Sequence, residues 1–389
     1  MTRPCPLCNG VDGFVLFERS TIPLSANVLY STRDDARNAV SGRLTLSLCR
    51  RCGFIFNSAF DPTLSIYGVD YDNDQNFSER FTAHMRWASD RVRRAMATPV
   101  RVLEVGCGQG QFLDMLLGDD PDGMGIGFDP SVRRPSTPRL RFEARYFGAE
   151  SGAAIGFEPN LVVSRHVIEH VQHPLTFLKA IRGSLRDGVR VFLETPCVAH
   201  ILESGAFWDL CYEHCSYFSA ATLAAACERA GFSVSLVEHV FAGQYLWLEA
   251  RSGTPQERHN PPPPLASAER FRARIGALLT HWRAVIEQAA LRGRVAVWGG
   301  GTKGASFVQL IDPDGTLIHA VIDINPRKQG RYLPGSGHRV LDWRQAVAEG
   351  VATAVVMNPN YLPEIRAMIG DASASLALIS AEPSQQASP

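Results

Sequence analysis

The sequence predicts an α/β protein, with a doubly wound parallel sheet in mid-chain, a cysteine-rich module before it and a second, smaller α/β domain after it. Three observations carry this expectation. Two Cys-x-x-Cys pairs, Cys5 with Cys8 and Cys49 with Cys52, stand near the start. From Pro99 onward, short apolar runs alternate with amphipathic stretches, and the first run ends in a glycine-rich turn, "VRVLEVGCGQGQFLDMLL". Such alternation builds parallel sheets covered by helices on both faces. The strand–turn–helix pattern resumes at "RVAVWGGGTKGASFVQLI", beyond the prolines Pro261 to Pro264, which read as an extended linker. These breaks predict units at 1–75, 76–255 and 256–380.

The 389 residues leave room for two or three domains. The chain is 45% hydrophobic and 20% charged, as in ordinary globular proteins. Basic and acidic residues balance at 39 each, which argues against broad electrostatic binding to nucleic acid or to an acidic membrane. No apolar run reaches the roughly 18 residues of a membrane span, and "MTRPCPLCNG" lacks the apolar core of a secretory signal. Nine cysteines, an odd number, suit a reducing cytoplasm and a metal site better than a disulfide framework. The expected location is therefore cytoplasmic.

Each cysteine pair sits in a short turn with Gly or Asn behind it, "CPLCNG" and "CRRCGF". Two such knuckles complete a tetrahedral site with ligands Cys5, Cys8, Cys49 and Cys52, which suits structural Zn2+. Unligated or redox cysteines are the alternatives. The 40 residues between Cys8 and Cys49 leave room for a β-hairpin.

"EVGCGQG" places Gly106, Gly108 and Gly110 at a strand end, where backbone N–H groups approach a ligand near a helix N-terminus. Asp129 ends the next strand, nineteen residues after Gly110, and a carboxylate there accepts the ribose hydroxyls of an adenosine. A nicotinamide dinucleotide site uses the same parts. Here Glu104 precedes the glycines and the spacing is Gly-x-Gly-x-Gly.

"SRHVIEHVQHP" follows a later strand and offers Arg165, His166, Glu169, His170 and His173. On a helical turn His166 and His170 share a face. His173, beside Pro174, reads as solvent-facing; His170 reads as an active-site residue or as a helix start. "FWDLCYEHCSYFS" sets Tyr212, Glu213 and His214 in a row between Cys211 and Cys215. On residue types alone this is a metal site, an acid/base site or the start of a helix. The last domain carries Gly299-x-Gly301-x-x-Gly304, with Asp323 nineteen residues on, a weak dinucleotide fingerprint. Lys303 inside that loop favours a phosphate-bearing ligand over a redox cofactor.

The Glu104-to-Gly110 pattern resembles motif I of class I S-adenosylmethionine-dependent methyltransferases. That implies the class I methyltransferase doubly wound sheet, and S-adenosylmethionine held by Glu104, Gly106, Gly108, Gly110 and Asp129. The order of parts is similar to that of the sugar C-methyltransferases of deoxysugar pathways, and the resemblance covers nearly the whole chain. It rests on "CPLC…CRRC", "YGVDYDNDQNFSERFTAHM", "YEHCSYFS", "GGGTKGASFVQLI" and "KQGRYLPG". Those enzymes methylate the carbon next to the ketone of a nucleotide-linked 4-keto-6-deoxysugar. The resemblance implies a small-molecule partner and a C-terminal Rossmann-like substrate domain. It places Glu213, His214 and His170 on the catalytic side, with the adjacent Tyr212 as a further candidate, and His166 and Tyr71 near the methyl donor. The chain departs from the family pattern at His166, Cys211 and Tyr212, where asparagine, tyrosine and histidine are expected.

Given this resemblance, Tyr212-Glu213-His214 reads as an acid/base cluster. A carbon next to a ketone is acidic only through its enolate, so a base must take the proton while the oxyanion is stabilised. A neutral imidazole suits that task, with His214 as the base. Cys211 and Cys215 then read as wall residues. Two other functions fit less of the sequence. One is an O- or N-methyltransferase on a sugar or natural-product scaffold. The other is a zinc-ribbon nucleic-acid-binding protein with an inactive methyltransferase fold, which the charge balance and the intact cofactor pattern disfavour.

Overall fold

The computed structural model describes residues 3–64, 77–96, 98–118, 120–254, 264–370 and 375–382. Tyr71 and most of the proline run lie outside these residues. Among those described, the strands form three sheets.

The first sheet starts between the two knuckles. Strands β1 (Gly13–Pro23) and β2 (Ser41–Cys49) pair antiparallel, in register from Gly13 with Cys49 to Pro23 with Ser41. Strand β3 (Ile55–Asn57) adds to β2 directly after the second knuckle.

The second sheet holds β4 (Arg101–Val105), β5 (Met124–Phe128), β6 (Leu140–Glu143), β7 (Leu161–Arg165) and β8 (Arg190–Pro196), all parallel. The chain starts in the middle of this sheet. It runs to one edge through β5 and β6, then returns to add β7 and β8 on the other side of β4. The order reverses between β4 and β7, and in such sheets ligands bind beyond the strand ends at that point. Strand β9 (Ser216–Tyr217) leaves this sheet and extends the first one by pairing with β3. Strands β10 (Phe232–Val240) and β11 (Tyr245–Ser252) close the second sheet as an antiparallel hairpin beside β8. The central strands are buried on both faces, as their unbroken apolar runs require.

The third sheet repeats the plan on a smaller scale. Strands β12 (Arg294–Trp298), β13 (Ile318–Ile322), β14 (Val340–Leu341), β15 (Val351–Val356) and β16 (Ala377–Ser380) are all parallel, with the reversal between β12 and β15. The helix Leu265–Ala290 leads into it.

One apolar cluster joins the first and third sheets to the segment that follows β8. Leu44 and Leu46 of β2, Phe207 and Trp208 of the middle segment, Trp282 of the long helix, and Phe307 belong to it. Phe207 stacks on Phe307 at 6.0 Å, and Trp282 meets the same ring edge-on at 5.4 Å. Each buried ring contributes roughly 1.5–3 kcal/mol by removal from water, so the lobes are held mainly by shared core. A polar link adds to this. Ser78 caps the helix Glu79–Arg94. The carboxylate of Glu364, from the C-terminal domain, accepts from Ser78 Oγ at 2.7 Å and from the amides of Glu79 and Arg80. No helix among the described residues is long and apolar enough to cross a membrane.

Gly304 shows why the second glycine turn needs its glycines. A Cβ there would lie 1.8 Å from the carbonyl oxygen of Gly299, so the helix Thr302–Ile311 could not keep its place against β12. Gly304→Ala should therefore destabilise the chain by about 1–3 kcal/mol or more. Urea unfolding measures this, and an unchanged midpoint would contradict the close approach.

Candidate functional site

The two glycine turns and the loops after β7 and β15 face one another across the space between the second and third sheets. The turn after β4 is held open by backbone conformation. Gly106, Gly108 and Gly110 take left-handed φ values of 80°, 53° and 81°. A Cβ on Gly106 would strike Val167 at 1.9 Å, whereas one on Gly108 would meet nothing within 4 Å, because it would point into open space. That space is a cavity of about 1280 Å³ lined by Glu104, Gly106, Gly108, Asp129, Arg165 and His166, among others. Asp129 accepts from the Gly108 amide at 3.0 Å and from Ser131 Oγ at 2.6 Å, which fixes its carboxylate at the rim of the turn. Glu104 is buried and its Oε2 has no partner among the described residues. Burial pushes its carboxyl up to about 8, against the pull of Arg165. An open cradle at Gly108, a fixed carboxylate on the next strand and an orphaned acid fit the adenosine and the cationic end of S-adenosylmethionine.

A second cavity of about 240 Å³ lies against the first, and both are lined by His166, His170 and Lys328. One wall carries Glu169, Glu213 and His214; the other carries Gly299, Thr302, Lys303 and Asp323 of the C-terminal domain. His166 stands at the junction with a left-handed φ of 54°, a strained conformation of the kind found at functional sites. Its ring lies between two buried carboxylates, 3.6 Å from Glu169 and 3.7 Å from Glu194.

The rings of His170 and His214 meet edge-on at 4.8 Å. His170 Nδ1 is 3.0 Å from the Glu213 carbonyl oxygen, and Thr195 Oγ1 donates to Glu169 Oε2 at 3.0 Å. Burial first, then His170, pushes the His214 imidazole down to about 3. Burial alone would raise the Glu169 carboxyl, but the histidines around it, His166 first, hold it below its ordinary range. The cluster thus offers a neutral imidazole with a buried carboxylate nearby. Glu169, His170 and His214 each bring one ligand atom within 4.8 Å of the others, so the same cluster has the donors for a cation.

Tyr212, expected beside His214, turns elsewhere, and Glu213 is tied to the N-terminal module. Tyr212 is a correction to the catalytic set: it lies in the core, its ring against Gly42, and its hydroxyl is paired with the Asp61 backbone at 3.0 and 3.2 Å. Glu213 Oε1 accepts from the Ala26 amide at 2.7 Å, so this carboxylate binds the N-terminal module. Cys211 and Cys215 are buried in the interior and line neither cavity. Lys303 is not left over for a phosphate, since its Nζ lies 2.6 Å from Asp209. Sequence reasoning missed the set beneath the donor cavity. Glu194 is fully buried, with His84 at 2.5 Å and Arg165 at 2.7 Å, and Arg165 first and His84 next hold its carboxyl well below the usual range despite burial.

The cysteine knuckles superimpose in their bonding. Cys5 N donates to Gly10 O and Asn9 N to Cys5 O; Cys49 N donates to Phe54 O and Gly53 N to Cys49 O. Asn9 and Gly53 occupy the left-handed positions the turns need. The four sulfurs lie within 4.8 Å of one another, with Cys5–Cys52 at 3.6 Å and Cys8–Cys49 at 3.5 Å. Four thiolates around zinc would stand about 3.8 Å apart, so the donor set and its spacing fit that ion.

Comparison with known proteins agrees with a methyltransferase fold. A methyltransferase domain model matches residues 78–237. A C-methyltransferase C-terminal domain model matches residues 255–375. The chain is 24% identical to the C-methyltransferase NovU of Streptomyces niveus, over 93% of this chain and 90% of that protein. It is 29% identical to a tRNA U34 carboxymethyltransferase of Campylobacter jejuni over 34% of this chain and 48% of that one. A solved N1-methyltransferase of Burkholderia thailandensis, bound to 1,6-didemethyltoxoflavin and S-adenosylhomocysteine, covers 45% of this chain and 81% of its own, with a TM-score of 0.35 and 20% identity. The protein is an S-adenosylmethionine-dependent methyltransferase of class I fold. Its C-terminal part matches the model of a C-methyltransferase C-terminal domain, and its similarity to NovU runs through nearly the whole chain.

The state of His214 is measurable. An unfolded imidazole takes its proton near pH 6.5, whereas the folded one holds out until about 3. Stability is therefore lost as pH falls through that interval, because the unfolded chain binds the extra proton. The depressed carboxyls of Glu169 and Glu194 act in the same direction. In imidazole NMR of the labelled protein, His214 should stay neutral from pH 8 to below pH 5; a midpoint near 6.5 would contradict its desolvation.

Proposed function

We propose that the protein transfers a methyl group from S-adenosylmethionine to the carbon next to the ketone of a nucleotide-linked keto-deoxysugar. The observation that carries this is the placement of the His214 imidazole, which lines a cavity shared with the C-terminal domain and joined to the donor cavity through His166 and His170.

Glu104, the Gly106–Gly110 turn, Asp129 and His166 hold the donor, which supplies an electrophilic methyl group when bound; Tyr71 falls in the segment expected to cover it. His214 takes the proton from the carbon beside the ketone. The C–H electrons pass into the enolate, and the imidazole becomes imidazolium. The buried carboxylate of Glu169 favours that imidazolium, and Thr195 keeps the carboxylate in place. His170, against the same ring, positions it. The dry, enclosed setting strengthens each of these charge interactions. Glu213 acts at one remove by fixing the stretch that carries His214.

The four thiolates of Cys5, Cys8, Cys49 and Cys52 hold a structural zinc in this account. With four protein ligands no coordination position remains for chemistry. The zinc organises β3, which in turn pairs with β9, two residues beyond His214.

His214→Gln keeps size and hydrogen bonding but cannot serve as a base near neutral pH. It should lower methyl transfer by about 10²–10⁴-fold and abolish exchange of solvent deuterium into the acceptor, with donor affinity unchanged. Near-normal turnover and exchange in this variant would sink the assignment.

Elemental analysis should give one zinc per chain. Cys49→Ser should lose the ion and destabilise the N-terminal module, since structural zinc contributes folding free energy directly. A full complement of zinc in that variant, or none in the wild type, would remove the claim.

A further inference from the structure

The cluster in the second cavity is organised as metal sites are, both in its donors and in the groups behind them. Glu169, His170 and His214 each bring one ligand atom within 4.8 Å of the others. Glu169 is 2% exposed, and one of its carboxylate oxygens is already held, since Oε2 accepts from Thr195 Oγ1 at 3.0 Å. The other oxygen, Oε1, is buried and makes no hydrogen bond among the described residues. His166 Nδ1 stands 3.6 Å from it, too far for one. A buried carboxylate oxygen without a donor is costly, and folded chains seldom keep one without a use.

His170 is oriented in the same manner. Its Nδ1 lies 3.0 Å from the Glu213 carbonyl oxygen. A carbonyl only accepts, so Nδ1 carries the proton, and the lone pair of the neutral ring is on Nε2. Metal-binding histidines show this arrangement: one nitrogen donates to a carbonyl or carboxylate, and the other ligates. Ligating carboxylates are likewise hydrogen-bonded from behind, as Thr195 does here. Two imidazoles and one carboxylate suit a divalent transition ion such as Co2+, Ni2+ or Zn2+. Around such an ion, bonds near 2.1 Å place neighbouring donors about 3.4 Å apart, and a slight rotation of the side chains brings the three to that spacing. All three residues line the second cavity, so the remaining coordination positions open into it. The four-cysteine site differs in being closed by its own ligands.

We propose that Glu169, His170 and His214 form a second metal site, which takes a divalent transition ion and inhibits methyl transfer while it is filled. A neutral imidazole has one lone pair. An ion bonded to His214 occupies the lone pair that would otherwise take the proton, so metal binding and base function exclude each other. The inhibition rests on the reaction proposed above; the metal site does not.

The test is titration with Co2+ of the full chain, its cysteine site preloaded with zinc, in the absence of donor and acceptor, followed by visible absorption. One equivalent of Co2+ should bind with the d–d absorption of a nitrogen and oxygen site, and without the intense charge-transfer band of thiolates. Glu169→Gln and His170→Gln should each weaken Co2+ binding by at least about tenfold, and Thr195→Val by about ten- to hundredfold. His173→Gln, outside the cluster, should leave it unchanged. If Glu169→Gln does not fold, His170→Gln carries the same readout. Methyl transfer should fall along the same titration and return when excess free histidine withdraws the ion. A chain that takes up no Co2+ beyond its zinc, or that shows only the thiolate band, would overturn the proposal. So would affinity that survives both Glu169→Gln and His170→Gln, or full methyl transfer with the site occupied. Failure of the keto-sugar proposal would leave the Co2+ uptake, and its loss in the variants, as they are.

Discussion

The site depends on how one stretch of chain, Tyr212 to Cys215, is gripped by the N-terminal module. Tyr212 is pinned by its hydroxyl to the Asp61 backbone, and its ring lies on Gly42. Glu213 reaches Ala26, and the Cys215 carbonyl accepts from Asn57. Successive residues are thus spent on holding, and the one between them, His214, is left against His170 and the second cavity. In the proposed reaction this gives the cysteine module a part in positioning His214 without bringing it to the reacting atoms. The knuckles set β2 and β3, β3 pairs with β9, and β9 fixes the stretch that aims the imidazole.

The donor side is built on a different constraint. The buried carboxylate of Glu194 binds His84 of the helix Glu79–Arg94 and Arg165 at the end of β7. It therefore joins a helix over the sheet to the strand end where the order reverses. The N-terminus of the same helix, just before His84, is capped by Glu364 of the C-terminal domain. Domain contact, helix position and the floor of the donor cavity are mechanically one unit. The two α/β sheets also share a local device. Asp129 accepts from the Gly108 amide, and Asp323 accepts from the Gly300 amide at 2.7 Å. In each case the carboxylate after one strand steadies the glycine turn after its neighbour.

Sequence legibility followed the range of the interactions involved. The cysteine pairs, the glycine turn and Asp129 could be found because their chemistry is set by local spacing. The same holds for the strand–helix alternation that defines the two parallel sheets. What stayed hidden depends on partners far apart in the chain. Lys303 reads as free for a phosphate until Asp209, 94 residues away, is placed beside it. Tyr212 reads as functional because it adjoins Glu213 and His214, yet adjacent side chains diverge and its ring enters the core. Strand β9, two residues long, carries no periodicity at all. Arg165 lies in a motif the sequence offers, but its partners Glu194 and Met85 meet it only in the fold.

The joined cavities bring together the glycine turn proposed to hold the donor and the imidazole proposed as the base, and methylation at carbon is the consequence of that proposal. The most direct test is the bond formed in the product. The enzyme is supplied with S-adenosylmethionine labelled with 13C at the methyl group and with a nucleotide-linked keto-sugar, and the product is examined by carbon–carbon and carbon–proton correlation NMR. The account predicts that the labelled methyl is bonded to the carbon adjacent to the ketone. A labelled methyl bonded to oxygen or nitrogen would contradict it.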